Sequence, residues 1–195
     1  MSVKIGIAGP VGSGKTSMIE SLTNLLKDEY KVAIVTNDIY TTEDANYLKK
    51  SLSIDSDMVI GVETGGCPHT AIRDDISINL KACEDLESSF QPDIIFVESG
   101  GDNLSATFSY ELVDYYCYII DVAQGGDIPR KKGAGLLFSD LLIVNKTDLA
   151  PYVEVNLEEM KSDVKENRKN KPALFVSKKD KQSILNVKEW ILALL

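Results

Sequence analysis

The chain has 195 residues, 44% of them hydrophobic and 26% charged, which fits one soluble domain spanning 1–195 with a core that needs no staples. With 30 acidic residues against 21 basic ones, the net charge of −9 argues against nucleic-acid and anionic-membrane partners. Without a secretory pattern or an apolar run of bilayer length, and with 3 irregularly spaced cysteines, the chain is expected in the cytoplasm.

Strands are predicted at 3–8, 31–36, 58–62, 94–97, 116–122, 141–145 and 173–176, and helices at 15–28, 70–89, 153–167 and 184–194. The strands are short and rich in Ile and Val, several apolar throughout, as in a sheet covered on both faces. The alternation predicts an α/β fold with a doubly wound, mostly parallel sheet of about seven strands. Ligands in such a sheet bind beyond the carboxyl ends of the strands, so the loops there are where chemistry is to be sought.

After the first strand, Gly9-Pro10-Val11-Gly12-Ser13-Gly14-Lys15-Thr16 fits G-x-x-x-x-G-K-S/T, the phosphate loop of P-loop NTPases. Gly9, Gly12, Ser13 and Gly14 let the backbone N–H groups face phosphate oxygens, and the helix start carrying Ser17 adds its positive dipole end. Lys15 would reach the β- and γ-phosphates, and Thr16 would offer its hydroxyl to Mg2+.

That cation needs further hard oxygen ligands. Asp38, Glu63 and Glu98 stand at the ends of the second, third and fourth strands, on the same edge as the phosphate loop. An acid in such a loop can equally cap the following helix; Asp38 and Glu98 are the favoured functional pair, with Glu63 evenly balanced. Glu98-x-x-Gly101 is similar to the D-x-x-G element of G proteins, whose glycine N–H senses the γ-phosphate.

The third strand leads into Cys67-Pro68-His69, which holds the single histidine of the chain. Pro68 favours extended geometry at Cys67, and in an extended segment residues i and i+2 point to one side. A thiolate and an imidazole suit Ni2+, Zn2+ or copper. Two ligands are too few for a tight site, and Cys83 and Cys117 fall on predicted core positions. A two-fold dimer in which each chain supplies Cys67 and His69 is the economical completion, square-planar for nickel or tetrahedral for zinc.

Beyond the sixth strand, Asn145-Lys146-Thr147-Asp148 fits N-K-x-D. The carboxylate of Asp148 can accept paired hydrogen bonds from guanine N1–H and N2–H2, which adenine does not offer, so GTP is favoured over ATP. Asn145 can address the base or brace the phosphate loop, and the Lys146 stem can cover the ring.

Together, the phosphate loop, Thr36-Asn37-Asp38-Ile39-Tyr40, Val62 to Arg73, Glu98 to Phe108 and Asn145 to Val153 resemble the urease accessory G-protein family. The resemblance implies a GTPase that couples GTP binding and hydrolysis to nickel delivery into apo-urease; no residue stands out to position the attacking water, so turnover is expected to be slow without a partner. It implies nickel at Cys67 and His69 across a homodimer, and complexes with other urease accessory proteins. A related chaperone GTPase for another metalloenzyme, or a paralogue that no longer hydrolyses GTP, fits the same motifs. Four positions depart from the family pattern: Val176-Ser177 replaces a Thr-Asn pair at the base pocket, Glu154 a glycine, and Phe138 a basic residue.

Overall fold

The computed structural model describes residues 2–66, 68–101, 104 and 106–195. Seven strands form one sheet: β1 (Val3–Ala8), β2 (Val32–Asp38), β3 (Val59–Glu63), β4 (Ile94–Glu98), β5 (Tyr115–Asp121), β6 (Leu141–Asn145) and β7 (Ala173–Phe175). Their order is β3-β2-β4-β1-β5-β6-β7, and every neighbouring pair is parallel. From β1 the chain winds one way through β2 and β3, returns to insert β4, then winds the other way through β5 to β7. β1 is therefore the point where the winding reverses, and the phosphate loop leaves its carboxyl end.

Because side chains alternate along a strand, the sheet divides its apolar residues between two faces. Ile5, Ile7, Phe96, Ile119 and Ile143 pack under α1 (Lys15–Leu26), α2 (Glu43–Ser51) and α7 (Lys181–Leu192). Val35, Val97, Tyr118, Ile120 and Val144 pack under α3 (Pro68–Arg73), α4 (Ser77–Phe90), α5 (Ala134–Phe138) and α6 (Leu157–Arg168). Register then aligns the polar strand ends: Asp38 beside Glu63, Glu98 beside both Ile7 and Thr36, and Asn145 beside Asp121. Cys83 and Cys117 are buried in the two core layers, as expected, and desolvation pushes the Cys83 thiol up to about 11.

Several predicted elements need correction. The helix expected over 70–89 is two helices. The N–H groups of Asp74 and Asp75 both close on the Thr70 carbonyl, ending α3, and Asp75 Oδ1 then accepts from Ser77 N at 3.3 Å and Ser77 Oγ at 2.7 Å, restarting the chain as α4. The buried stripe of α4 is Asn79, Ala82, Cys83 and Leu86, so Asn79 takes the inward place that periodicity gave to Leu80.

Helix α6 begins at Leu157 and not at 153. Residues Thr147–Tyr152 form a 3-10 turn, and Asn156 caps the new start by accepting from Glu158 N and Glu159 N. Glu154, standing where a glycine was expected, has φ +54, a left-handed conformation that favours glycine. Helix α7 starts earlier than 184 because Asp180 caps it through Gln182 N at 3.0 Å. The short helices α2 and α5 have no counterpart in the predicted elements.

Candidate functional site

A cavity of about 760 Å³ runs along the carboxyl edge of the sheet, from the phosphate loop at one end to Asp148 and Lys179 at the other. At Gly14 the backbone has φ +96, and a Cβ would lie 2.5 Å from Asn145 Nδ2; only glycine allows that crossing. Asn145 in turn donates to the Ser13 carbonyl at 2.9 Å, so it braces the phosphate loop. Lys15 is 7% exposed and its ammonium lies 3.4 Å from the Pro10 carbonyl, within the curl of the loop. The Ser13 hydroxyl is buried and lacks a hydrogen-bond partner. Gly12, Thr16, Ser17 and Gly101 also line the cavity. Gly9 is the bend between β1 and the loop, with φ +150.

Two carboxylates meet the Thr16 hydroxyl, one foreseen and one not. Thr16 Oγ1 donates to Glu98 Oε1 at 2.7 Å and lies 3.2 Å from Asp44 Oδ1. Glu98, the last residue of β4, is 1% exposed, and its Oε2 is buried without a partner. Burial pushes its carboxyl up to about 7, against the opposing pull of the Thr16 hydrogen bond and the Lys15 charge, with Asp44 adding to the rise. A buried carboxylate oxygen with no donor, beside a hydroxyl and a second acid, is the chemistry of a hard divalent cation, and these residues fit Mg2+.

Asp38 lines the same cavity but is turned onto its own loop, accepting from Ile39 N at 2.6 Å and Thr41 Oγ1 at 2.5 Å. Glu63 is exposed at the end of β3 and does not line the cavity. Asp44 went unseen because α2 did; a Thr-Thr-Glu-Asp start ahead of inward Ala45 and Leu48 was the available signal.

At the base end, Asp148 is already engaged. Its Oδ1 accepts from Ser177 Oγ at 2.7 Å and its Oδ2 from Lys179 Nζ at 2.9 Å; Lys179 and then Ser177 hold this carboxyl below the usual range. Ser177 is fixed by Ser183, whose hydroxyl accepts from Ser177 N at 3.1 Å. The Ser177 that replaces the family's Thr-Asn pair thus braces the acid of the N-K-x-D motif. Lys146 stretches across the pocket to the Gly12 carbonyl and to Asp121 Oδ2 at 2.9 Å.

Past β3, the Thr64 and Gly65 N–H groups bond the carbonyls of Asp38 and Ile39 at 2.8 and 3.1 Å. Cys67 lies outside the described residues. His69 is half-buried in the first turn of α3. The extended geometry expected there gives way to a helix at Pro68, a residue suited to the first helical position because its missing N–H would be unbonded anyway. Among the described residues, three or more His, Cys, Asp or Glu side chains do not gather into a metal cluster, and no helix is long and apolar enough to cross a membrane.

Residues 3–175 match the CobW/HypB/UreG nucleotide-binding domain family. The urease accessory protein UreG of Aliarcobacter butzleri (strain RM4018) is 77% identical over 195 residues, 100% of both chains. That of Lysinibacillus sphaericus (strain C3-41) is 56% identical over 97% of this chain and 91% of its own. Among solved structures, HypB from Helicobacter pylori in complex with nickel superposes with a TM-score of 0.79 at 24% identity, covering 98% of this chain and 86% of that one. The fold is therefore that of the P-loop NTPases in this group.

Proposed function

We propose a function from one premise: the chain belongs to the CobW/HypB/UreG nucleotide-binding family and, within it, to the urease accessory UreG group. It is a GTP-hydrolysing metallochaperone, one domain over 1–195, that couples GTP binding and hydrolysis to the delivery of nickel into apo-urease. It works in the cytoplasm, alongside the other urease accessory proteins.

Lys15 and the loop amides hold the β- and γ-phosphates, and the Gly101 N–H meets the γ-phosphate. Thr16, Glu98 and Asp44 would hold Mg2+, with Asp38 lining the same cavity, and the ion would screen the charge on the phosphates. Burial raises the Glu98 carboxyl toward neutrality in the empty pocket, and a bound cation would hold it ionised. Asp148, braced by Ser177, reads the guanine edge. Turnover is slow until a partner completes the site.

The observation that carries the coupling is the pair of backbone hydrogen bonds from Thr64 and Gly65 to Asp38 and Ile39. They fasten the loop that leads to Cys67 and His69 onto the loop that answers the nucleotide. When the γ-phosphate draws the Asp38 and Glu98 loops inward, the Cys67–His69 segment moves with them, so two chains can share one nickel ion through two thiolates and two imidazoles. Nickel complexation by the HypB neighbour supports this cargo; zinc fits the same donors.

Light scattering after size exclusion tests the reading. Nickel with a non-hydrolysable GTP analogue should give a dimer, GDP should not, and Cys67→Ala should stay monomeric while still binding nucleotide. A wild-type chain that remains monomeric with both ligands would refute it. Phosphate release from GTP but not ATP checks the activity.

A further inference from the structure

We propose that the buried Asn37–Asn79 amide pair is the positioning element that carries the state of the nucleotide pocket to the helix bearing His69; this rests on the function proposed above. Asn37 is 2% exposed and Asn79 0%. Asn37 Nδ2 donates to Asn79 Oδ1 at 3.0 Å and Asn79 Nδ2 donates to Asn37 Oδ1 at 2.8 Å, a closed ring of two amides. The remaining N–H of each reaches outward, from Asn37 to the Glu98 carbonyl at 2.9 Å and from Asn79 to the Ala71 carbonyl at 2.8 Å.

Each of those bonds ends on a different piece of the machinery. Asn37 lines the cavity and precedes Asp38 on β2. Glu98 closes β4 against the Thr16 hydroxyl. Ala71 belongs to α3, the helix that carries His69, and Asn79 sits on α4 among the buried Ala82, Cys83 and Leu86. All four amide N–H groups are used inside the core, so a shift of the Glu98 strand end must either break a buried bond or drag α3 with it. Breaking one leaves a desolvated donor, which makes dragging the cheaper response. Gly100 adds a steric contact on the same line: a Cβ there would stand 2.7 Å from Pro68 Cβ and 3.2 Å from the Asn37 carbonyl.

The test uses the full chain and Asn79→Leu, which keeps the branched shape but removes the amide. Nickel dissociation constants are measured at one fixed protein concentration with a non-hydrolysable GTP analogue and with GDP, both with magnesium. Wild type should show a ratio between the two states of the size common for coupled sites, about 5- to 150-fold. In the variant that ratio should fall about tenfold or to unity, while binding of a fluorescent GDP stays within about twofold of wild type.

An unchanged ratio in the variant overturns the proposal while leaving the proposed function intact. No ratio in wild type overturns the proposed function, and this inference with it. Because Asn79→Leu could fail to fold, hydrogen exchange on wild type supplies a second readout. Exchanging GDP for the GTP analogue should change the protection of residues 68–79, and an unaltered pattern there would also sink the idea.

Discussion

The two ends of the cavity wait for their ligand in opposite ways. At the phosphate end, Glu98 Oε2 and the Ser13 hydroxyl are buried with their hydrogen-bonding capacity unmet. At the base end, Asp148 is satisfied by the chain itself, through Ser177 and Lys179. On the proposed function, phosphate and cation would therefore relieve a standing penalty when they arrive, whereas the base would first have to displace a lysine. Affinity should come from the first end and discrimination from the second, because a pocket that must give up its own bonds rewards only a ligand that replaces them.

Breaking the phosphate end should have the largest effect. Lys15→Ala should weaken GTP binding by about 10²- to 10³-fold, since charge-assisted bonds to phosphate are the strong ones; titration of a fluorescent GTP analogue reads this directly. Next comes the standing penalty itself. The Glu98 carboxyl ionises near 7 in the fold against an ordinary 4.5, so the unfolded chain releases its proton first. Stability of the ligand-free protein should therefore fall as pH rises from about 4.5 to about 7 and level off above, by about 3 kcal/mol in total. Urea melts at pH 5 and pH 8 check it: Glu98→Gln should flatten this difference, and an equally steep difference in the variant would assign the slope elsewhere.

At the base end, Asp148→Asn should lower GTP affinity by about 10²-fold and leave ATP binding little changed, narrowing the preference measured in competition experiments. The smallest effect sharpens the comparison most. Lys179→Ala should tighten guanosine binding by about two- to threefold and reduce its dependence on salt, because an exposed ion pair is weak and screened. Using the nucleoside without phosphates keeps the two ends apart, and tighter binding of adenosine as well would contradict a role in selection.

Much of this site could be read along the chain because its parts are local. The phosphate loop, N-K-x-D and the acids at the strand ends each occupy a few consecutive residues, and each sits where the parallel sheet presents it. Glu98 could be named from its place after an apolar strand, although its depth of burial could not. Glu63 marks the limit of that logic, for it stands at the same edge as Asp38 yet faces solvent outside the cavity.

What pattern reading missed is polar and distant in sequence. Asp44 meets Thr16 across 28 residues, Asn79 meets Asn37 across 42, and Ser177 meets Asp148 across 29. The strand and helix alternation, the sheet class and the nucleotide motifs were determined by the order of residues, since hydrophobic periodicity and backbone conformation are short-range properties. Tertiary structure alone decided which carboxylates share the Thr16 hydroxyl, where the 70–89 segment breaks, and which amide turns inward on α4. Those choices depend on pairing buried donors with acceptors from other elements, and such a pairing leaves no periodic trace in either partner.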